Sequence, residues 1–107
     1  MDKRQSLRKE LRIKALLTVN GTGPMTVRTM DVGKYGMCLI GIVRPLTTGE
    51  EVHVAFEMAI NGEIHNVAVN ARVSHCMNTT SDGFKAGLQF LDLNSNGVTL
   101  LAQYIGP

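Results

Sequence analysis

The sequence predicts an all-β domain: a six-stranded antiparallel β-barrel with a short C-terminal α-helix. Three observations carry this. Apolar residues alternate with period two in successive runs. Turn chemistry separates those runs, with Asn20-Gly21-Thr22-Gly23-Pro24, Asn61-Gly62 and the stretch 78–83 as its densest points. Helical spacing appears only at the end of the chain. Six successive strands joined by turns favour closure, because a closed sheet has no exposed edge.

The elements follow in order. Residues 1–11 are polar and weakly periodic, which predicts a mobile arm. From Ile13 the first strand places Ile13, Ala15, Leu17 and Val19 on one face. The Asn20–Pro24 turn leads to a second strand over 25–30. Asp31 to Tyr35 reads as a glycine-bearing turn, and 36–43 as a largely apolar third strand. After a loop containing Pro45, the fourth strand sets Val52, Val54, Phe56 and Met58 against His53, Ala55 and Glu57. Asn61-Gly62 then suits a type I′ hairpin, which needs positive φ at both central positions. A long fifth strand carries Val67, Val69, Ala71, Val73, His75 and Met77 in one phase. The sixth carries Phe84, Ala86, Leu88 and Phe90. Asn94 or Ser95 can cap a helix that turns Val98, Leu101 and Ile105 to one side, and Gly106-Pro107 stops it.

Size and composition fit one domain over 1–107, divided into the arm (1–11), the barrel (12–92) and the helix (94–105). At 107 residues and 11.6 kDa the chain supports one modest core. Its apolar runs are shorter than the roughly 18–20 residues of a membrane span. The charged N-terminus lacks the apolar stretch of a secretory signal. A cytoplasmic protein without a membrane span is expected. Cys38 and Cys76 form no C-x-x-C pair and read as small buried hydrophobes.

The net charge of +2 hides an asymmetry. Lys3, Arg4, Arg8, Lys9, Arg12 and Lys14 crowd the first fourteen residues, while the remainder is slightly acidic. A duplex-binding protein spreads its positive charge over a face. Charge confined to one short arm suits a small anion instead.

Two pieces carry chemistry. Arg8-Lys9-Glu10-Leu11-Arg12 places two guanidiniums four residues apart just before a strand. Guanidiniums suit phosphates and the O6/N7 edge of guanine. Asp31-Val32-Gly33-Lys34-Tyr35-Gly36 begins with a carboxylate, which accepts from the N1–H and amino donors of guanine. Together they describe a guanine-nucleotide site on the outside of a small β domain. A solvated basic tail and a purely structural turn are the bland alternatives for the two pieces.

In order and spacing these residues resemble the PilZ family, bacterial receptor domains for cyclic di-GMP. The family pattern is R-x-x-x-R followed by D/N-x-S-x-x-G on a six-stranded, split-barrel type fold with a C-terminal helix. Arg8 and Arg12 fit the first element; Asp31, Gly33 and Gly36 fit the second. Val73-Ser74-His75 through Gly87-Leu88-Gln89-Phe90 looks like the family's last two strands. Arg4 and Arg8 share the same spacing, but Arg12 runs directly into the first strand, which leaves Arg4 as an extra cation.

The resemblance implies a cyclic di-GMP receptor that acts on a protein partner in motility, biofilm or exopolysaccharide control. Arg8 and Arg12 would hold phosphates and guanine edges, and Asp31 would distinguish guanine from adenine. Gly33 and Gly36 would adopt positive φ and approach the base. The arm would order on binding. His75 stands where relatives carry an aromatic residue; stacking on a base competes there with a packed core histidine, which the residue pattern favours. Gly33 replaces the family's serine, a lost hydrogen bond worth roughly 0.5–1.5 kcal/mol.

Catalysis, a metal site and a cofactor beyond the nucleotide ligand are not expected. His53, His65, His75, Cys38 and Cys76 show no ligand spacing, and His75 and Cys76 should face opposite sides of a strand. A polymeric nucleic acid is also not expected, since the few aromatics fall largely in core phase. The remaining alternative is a PilZ-like protein-interaction domain that has lost the nucleotide.

Overall fold

In the computed structural model, residues 8–93 and 95–106 are described, and they form seven strands and one helix. The strands are β1 (Arg8–Glu10), β2 (Lys14–Val19), β3 (Thr22–Gly33), β4 (Gly36–Ile42), β5 (Glu51–Ile60), β6 (Glu63–Asn78) and β7 (Phe84–Asp92). Helix α1 runs Ser95–Ile105. Strands β2 to β7 pair in the order β3-β2-β5-β6-β7-β4, and β4 returns to β3, so six antiparallel strands close a ring. The expected architecture is the one observed, with β1 added along β3.

Alternation builds the ring. Leu17, Val19, Val54, Val69, Leu39 and Ile42 turn inward and lose all or nearly all of their exposure. Burying an aliphatic side chain contributes about 1.5–3 kcal/mol, so this inward layer sets the strand register. Asn20-Gly21 and Asn61-Gly62 make the two tightest hairpins, with φ of 51° and 72°, and 53° and 81°. Asparagine and glycine tolerate this left-handed backbone.

Several expectations need correction. The sequence predicts a mobile arm through residue 11, yet Arg8–Glu10 pair with Asp31–Gly33, and Leu11 is buried. The sequence predicts a turn from Asp31, but β3 continues through Gly33 because β1 and β4 pair with its two edges. Only Lys34 and Tyr35 make the bend. In α1, Val98 faces solvent, whereas Leu100 and Leu101 are buried. Arg4 and Asn94 lie outside the described residues.

The junction between β1 and β2 rests on Thr29, a buried polar side chain in an otherwise apolar inward row. Its hydroxyl donates to Leu11 O and accepts from Ile13 N at 3.0 Å. Leu11 N donates to Met30 O at 3.0 Å, and Thr29 N to Ile13 O at 2.8 Å. A side chain thus substitutes for the strand ladder around Arg12, and Arg12 projects into solvent.

Candidate functional site

Register brings the predicted residues to one outer face. Cα partners in antiparallel strands project to the same side of the sheet. A continuous row runs His75 (β6), Gly87 (β7), Cys38 (β4), Asp31 (β3) and Glu10 (β1). Val32, Met37, Leu39, Ala86 and Leu88 are buried on the inner face, so the intervening Asp31, Gly33, Cys38 and Gly87 belong to the outer one. Arg8 pairs in register with Gly33 and joins them.

At the centre, Arg8 Nε lies 3.3 Å from Asp31 Oδ1, with each side chain about one-third exposed at 34%. Asp31 Oδ1 itself is buried and makes no hydrogen bond among the described residues. The guanidinium is close enough to compensate the charge but misaligned for donation. An unsatisfied acceptor of this kind costs about 1–3 kcal/mol, and a ligand N–H would relieve that cost. Arg12 pairs instead with Glu10 Oε2, both well exposed. The structure therefore brings Arg8 and Asp31 into contact, whereas Arg12 is held by a different carboxylate.

The two motif glycines do not behave as expected. Neither Gly33 nor Gly36 has positive φ; both belong to extended strands. Gly36 answers a packing demand, since a Cβ there would stand 2.1 Å from Leu88 O. β4 can approach the β7 backbone only without that side chain.

His75 also departs from the packed core reading. A register shift between Val73 and His75 places a β-bulge in β6, which reverses the phase after buried Val73. His75 becomes exposed and Cys76 packs against the core. The His75 ring lies over Gly87, where an added Cβ would meet ring atoms at 2.2–2.9 Å. Ser74 Oγ donates to Gly87 O at 2.9 Å across the bulge.

Cys38 reports the electrostatics of the face. Burial raises its thiol pKa first and Asp31 raises it further, while Lys85 and Arg8 act in the opposite direction. The thiol is a protonated floor for the site at neutral pH. Among the described residues, no group of three or more His, Cys, Asp or Glu could hold a metal.

Behind β1, Lys9 anchors the segment. Its Nζ donates to Tyr104 O at 2.9 Å and sits 4.3 Å from the centroid of the Tyr104 ring, while Tyr104 Oη donates to Glu10 O at 2.7 Å. A cation at the end of α1 complements the helix dipole. Thr29, Gly87 and Glu10 escaped the sequence reading as site residues. Thr29 left one signal, a hydroxyl in the core phase of a strand.

The chain matches the PilZ domain over residues 2–106. It belongs to the PilZ domain family. The inhibitor of motility MotI/DgrA of Bacillus subtilis has a similar fold, with TM-score 0.85 at 14% identity. The PilZ domain of Escherichia coli YcgR, solved with c-di-GMP, gives 0.70 at 12% identity, and K. pneumonia MrkH in complex with c-di-GMP gives 0.69 at 12%. The chain is covered over 98%, 97% and 97% of its length in these comparisons, and it spans 50%, 89% and 51% of theirs. Thus it matches about half of MotI and MrkH. No curated protein matches the sequence. At these identities the structural likeness shows the shared PilZ fold. Among the described residues, no helix is long and apolar enough to cross a membrane.

Proposed function

We propose that this PilZ domain is a cytoplasmic, non-catalytic receptor for cyclic di-GMP and that the Arg8–Asp31 contact carries this reading. Two side chains suited to different parts of one guanine nucleotide meet at 3.3 Å on the outer face of the sheet. Arg8 exchanges Asp31 for a phosphate or the guanine O6/N7 edge. Asp31, with an unsatisfied buried oxygen, accepts from the guanine N1–H and amino group. Adenine offers an acceptor at N1 and would meet the carboxylate unfavourably.

Arg12 adds the second guanidinium after leaving Glu10, and His75 stacks on a base over Gly87. Gly33 shares the face with Arg8 and Asp31 and leaves room where relatives have a hydroxyl. Arg4 supplies a further cation from the N-terminal segment. Because Arg8 belongs to β1, its change of partner reorders that segment. The change reaches α1 through Lys9 and Tyr104 and so reaches a protein partner. Motility, biofilm and exopolysaccharide control are the family-level outputs. The reading calls for no metal and no polymeric nucleic acid.

Two observations favour the alternative, a PilZ-like interaction domain without nucleotide binding. Both arginines are already paired to carboxylates, and Gly33 lacks the hydroxyl. Calorimetry decides between them. Saturable binding of cyclic di-GMP, with cyclic di-AMP and GMP much weaker, supports the receptor. No heat from cyclic di-GMP, with the same partners captured with and without it, supports the alternative.

A further inference from the structure

We infer that Lys85 is a further anion-binding cation of this face and takes a phosphate on the side away from Arg8. The inference rests on the receptor reading above and extends its site across β7.

Lys85 lies two residues before Gly87 in β7, with inward-facing Ala86 between them. The ammonium stem therefore rises from the same outer face as Gly87, Cys38 and Asp31. Strands lie about 4.8 Å apart, so β7 stands about 10 Å from β3, and Lys85 approaches the site from the side opposite Arg8. Lys85 and Arg8 thus flank the Gly87–Cys38–Asp31 row from opposite sides of one face.

The pairing of the cations differs. Arg8, Arg12, Arg28 and Arg72 each have a carboxylate within ion-pair distance, whereas no described carboxylate pairs with Lys85. Lys85 is also partly buried. Arg8 and Arg12 must each break an ion pair before they reach a phosphate; Lys85 breaks none. A ligand with two phosphates needs cations at separated points, and β1 and β7 provide them on either side of the Asp31–Cys38 floor. Lysine suits this role as a point charge on a flexible stem, leaving bidentate base recognition to arginine.

The test is titration calorimetry of cyclic di-GMP against the full chain and three variants, with thermal melting to confirm folding. Lys85→Gln is expected to weaken binding about tenfold or more, as for loss of a charge-assisted contact, and to make affinity less sensitive to salt. Lys85→Arg retains most of the affinity. Lys34→Gln, a nearby exposed lysine on the β3–β4 bend, changes it little. Unchanged affinity in Lys85→Gln, or an equal loss in Lys34→Gln, overturns the assignment while leaving the receptor reading intact. Failure of the unsubstituted chain to bind overturns both.

Discussion

Arg8 Nε stands 3.3 Å from Asp31 Oδ1, so the cation and the anion proposed for opposite parts of one ligand neutralise each other beforehand. Each side chain is about one-third exposed, and water screens their attraction. Partly exposed pairs contribute about 0–1 kcal/mol. A double-mutant cycle with Arg8→Ala and Asp31→Ala, read by chemical denaturation, should give a coupling within that range. Binding should respond more strongly. Arg8→Ala and Arg12→Ala are each expected to lose about 1.5–3 kcal/mol of cyclic di-GMP affinity, and Asp31→Ala to lose preference over cyclic di-AMP. A stability coupling well above 1 kcal/mol would make the pair a structural clamp.

Glu10 is an internal competitor for the ligand. Its carboxylate holds Arg12, and Glu10 stands at the end of the row opposite His75. Glu10→Gln keeps the side-chain shape, releases the guanidinium and removes a charge that repels phosphate. Affinity should rise several-fold, in keeping with the modest worth of an exposed ion pair. Calorimetry checks this directly; weaker binding would mean that Glu10 orients Arg12 productively.

Gly36 and Gly87 both leave no room for a methyl group, with opposite expected outcomes. At Gly36 the obstruction is Leu88 O, a backbone atom 2.1 Å from the added Cβ. Gly36→Ala must separate β4 from β7 and should destabilise the domain by about 1–3 kcal/mol or more. At Gly87 the obstruction is the His75 ring, which can rotate away from an exposed position. Gly87→Ala should therefore melt close to the unsubstituted protein while displacing the stacking platform and weakening nucleotide binding. Equal melting losses would contradict this difference.

Asp92 provides a pH test away from the site. Its carboxylate accepts from the Asn70 side-chain amide at 2.9 Å and the Asn70 backbone N–H at 3.0 Å, and these bonds lower its pKa. A carboxyl with a lowered folded pKa stabilises the fold above its ordinary range and loses that contribution as pH falls through the lowered value. The stability difference between the unsubstituted protein and Asp92→Ala should be full at neutral pH and shrink in acid. Denaturation across that range checks the sign; a difference that grows in acid would contradict it.

Period-two alternation made the ring legible, because inward residues such as Val54 and Val69 report burial directly. Asn61-Gly62 was equally direct, since the left-handed backbone selects those residue types. His75 was not legible in the same way. The bulge between Val73 and His75 is a mismatch of strand lengths, and a single strand's residue pattern carries no trace of its partner's register. The same blindness concealed β1, whose three exposed residues have no apolar face and are ordered by β3. Arg8, Arg12 and Asp31 could be read as chemistry, but Arg8 meeting Asp31 while Arg12 meets Glu10 depends on a junction between β1 and β2 that Thr29 bridges from another strand.

That junction can be tested through Thr29→Val, which preserves shape and removes the hydroxyl. Leu11 O loses a donor and Ile13 N loses an acceptor in a region that Leu11 helps to bury. Leaving such groups unsatisfied costs about 1–3 kcal/mol, and the ladder has no nearby substitute because Arg12 projects outward. The Ile13 amide should exchange with solvent faster in Thr29→Val, and β1 should loosen from Asp31–Gly33. Both arginines sit on that segment, so cyclic di-GMP affinity should fall together with amide protection. Thr29→Ser restores the hydroxyl without the methyl and should recover both readouts. Faster exchange with undiminished affinity would show that the Thr29 anchor is not needed to position the arginines.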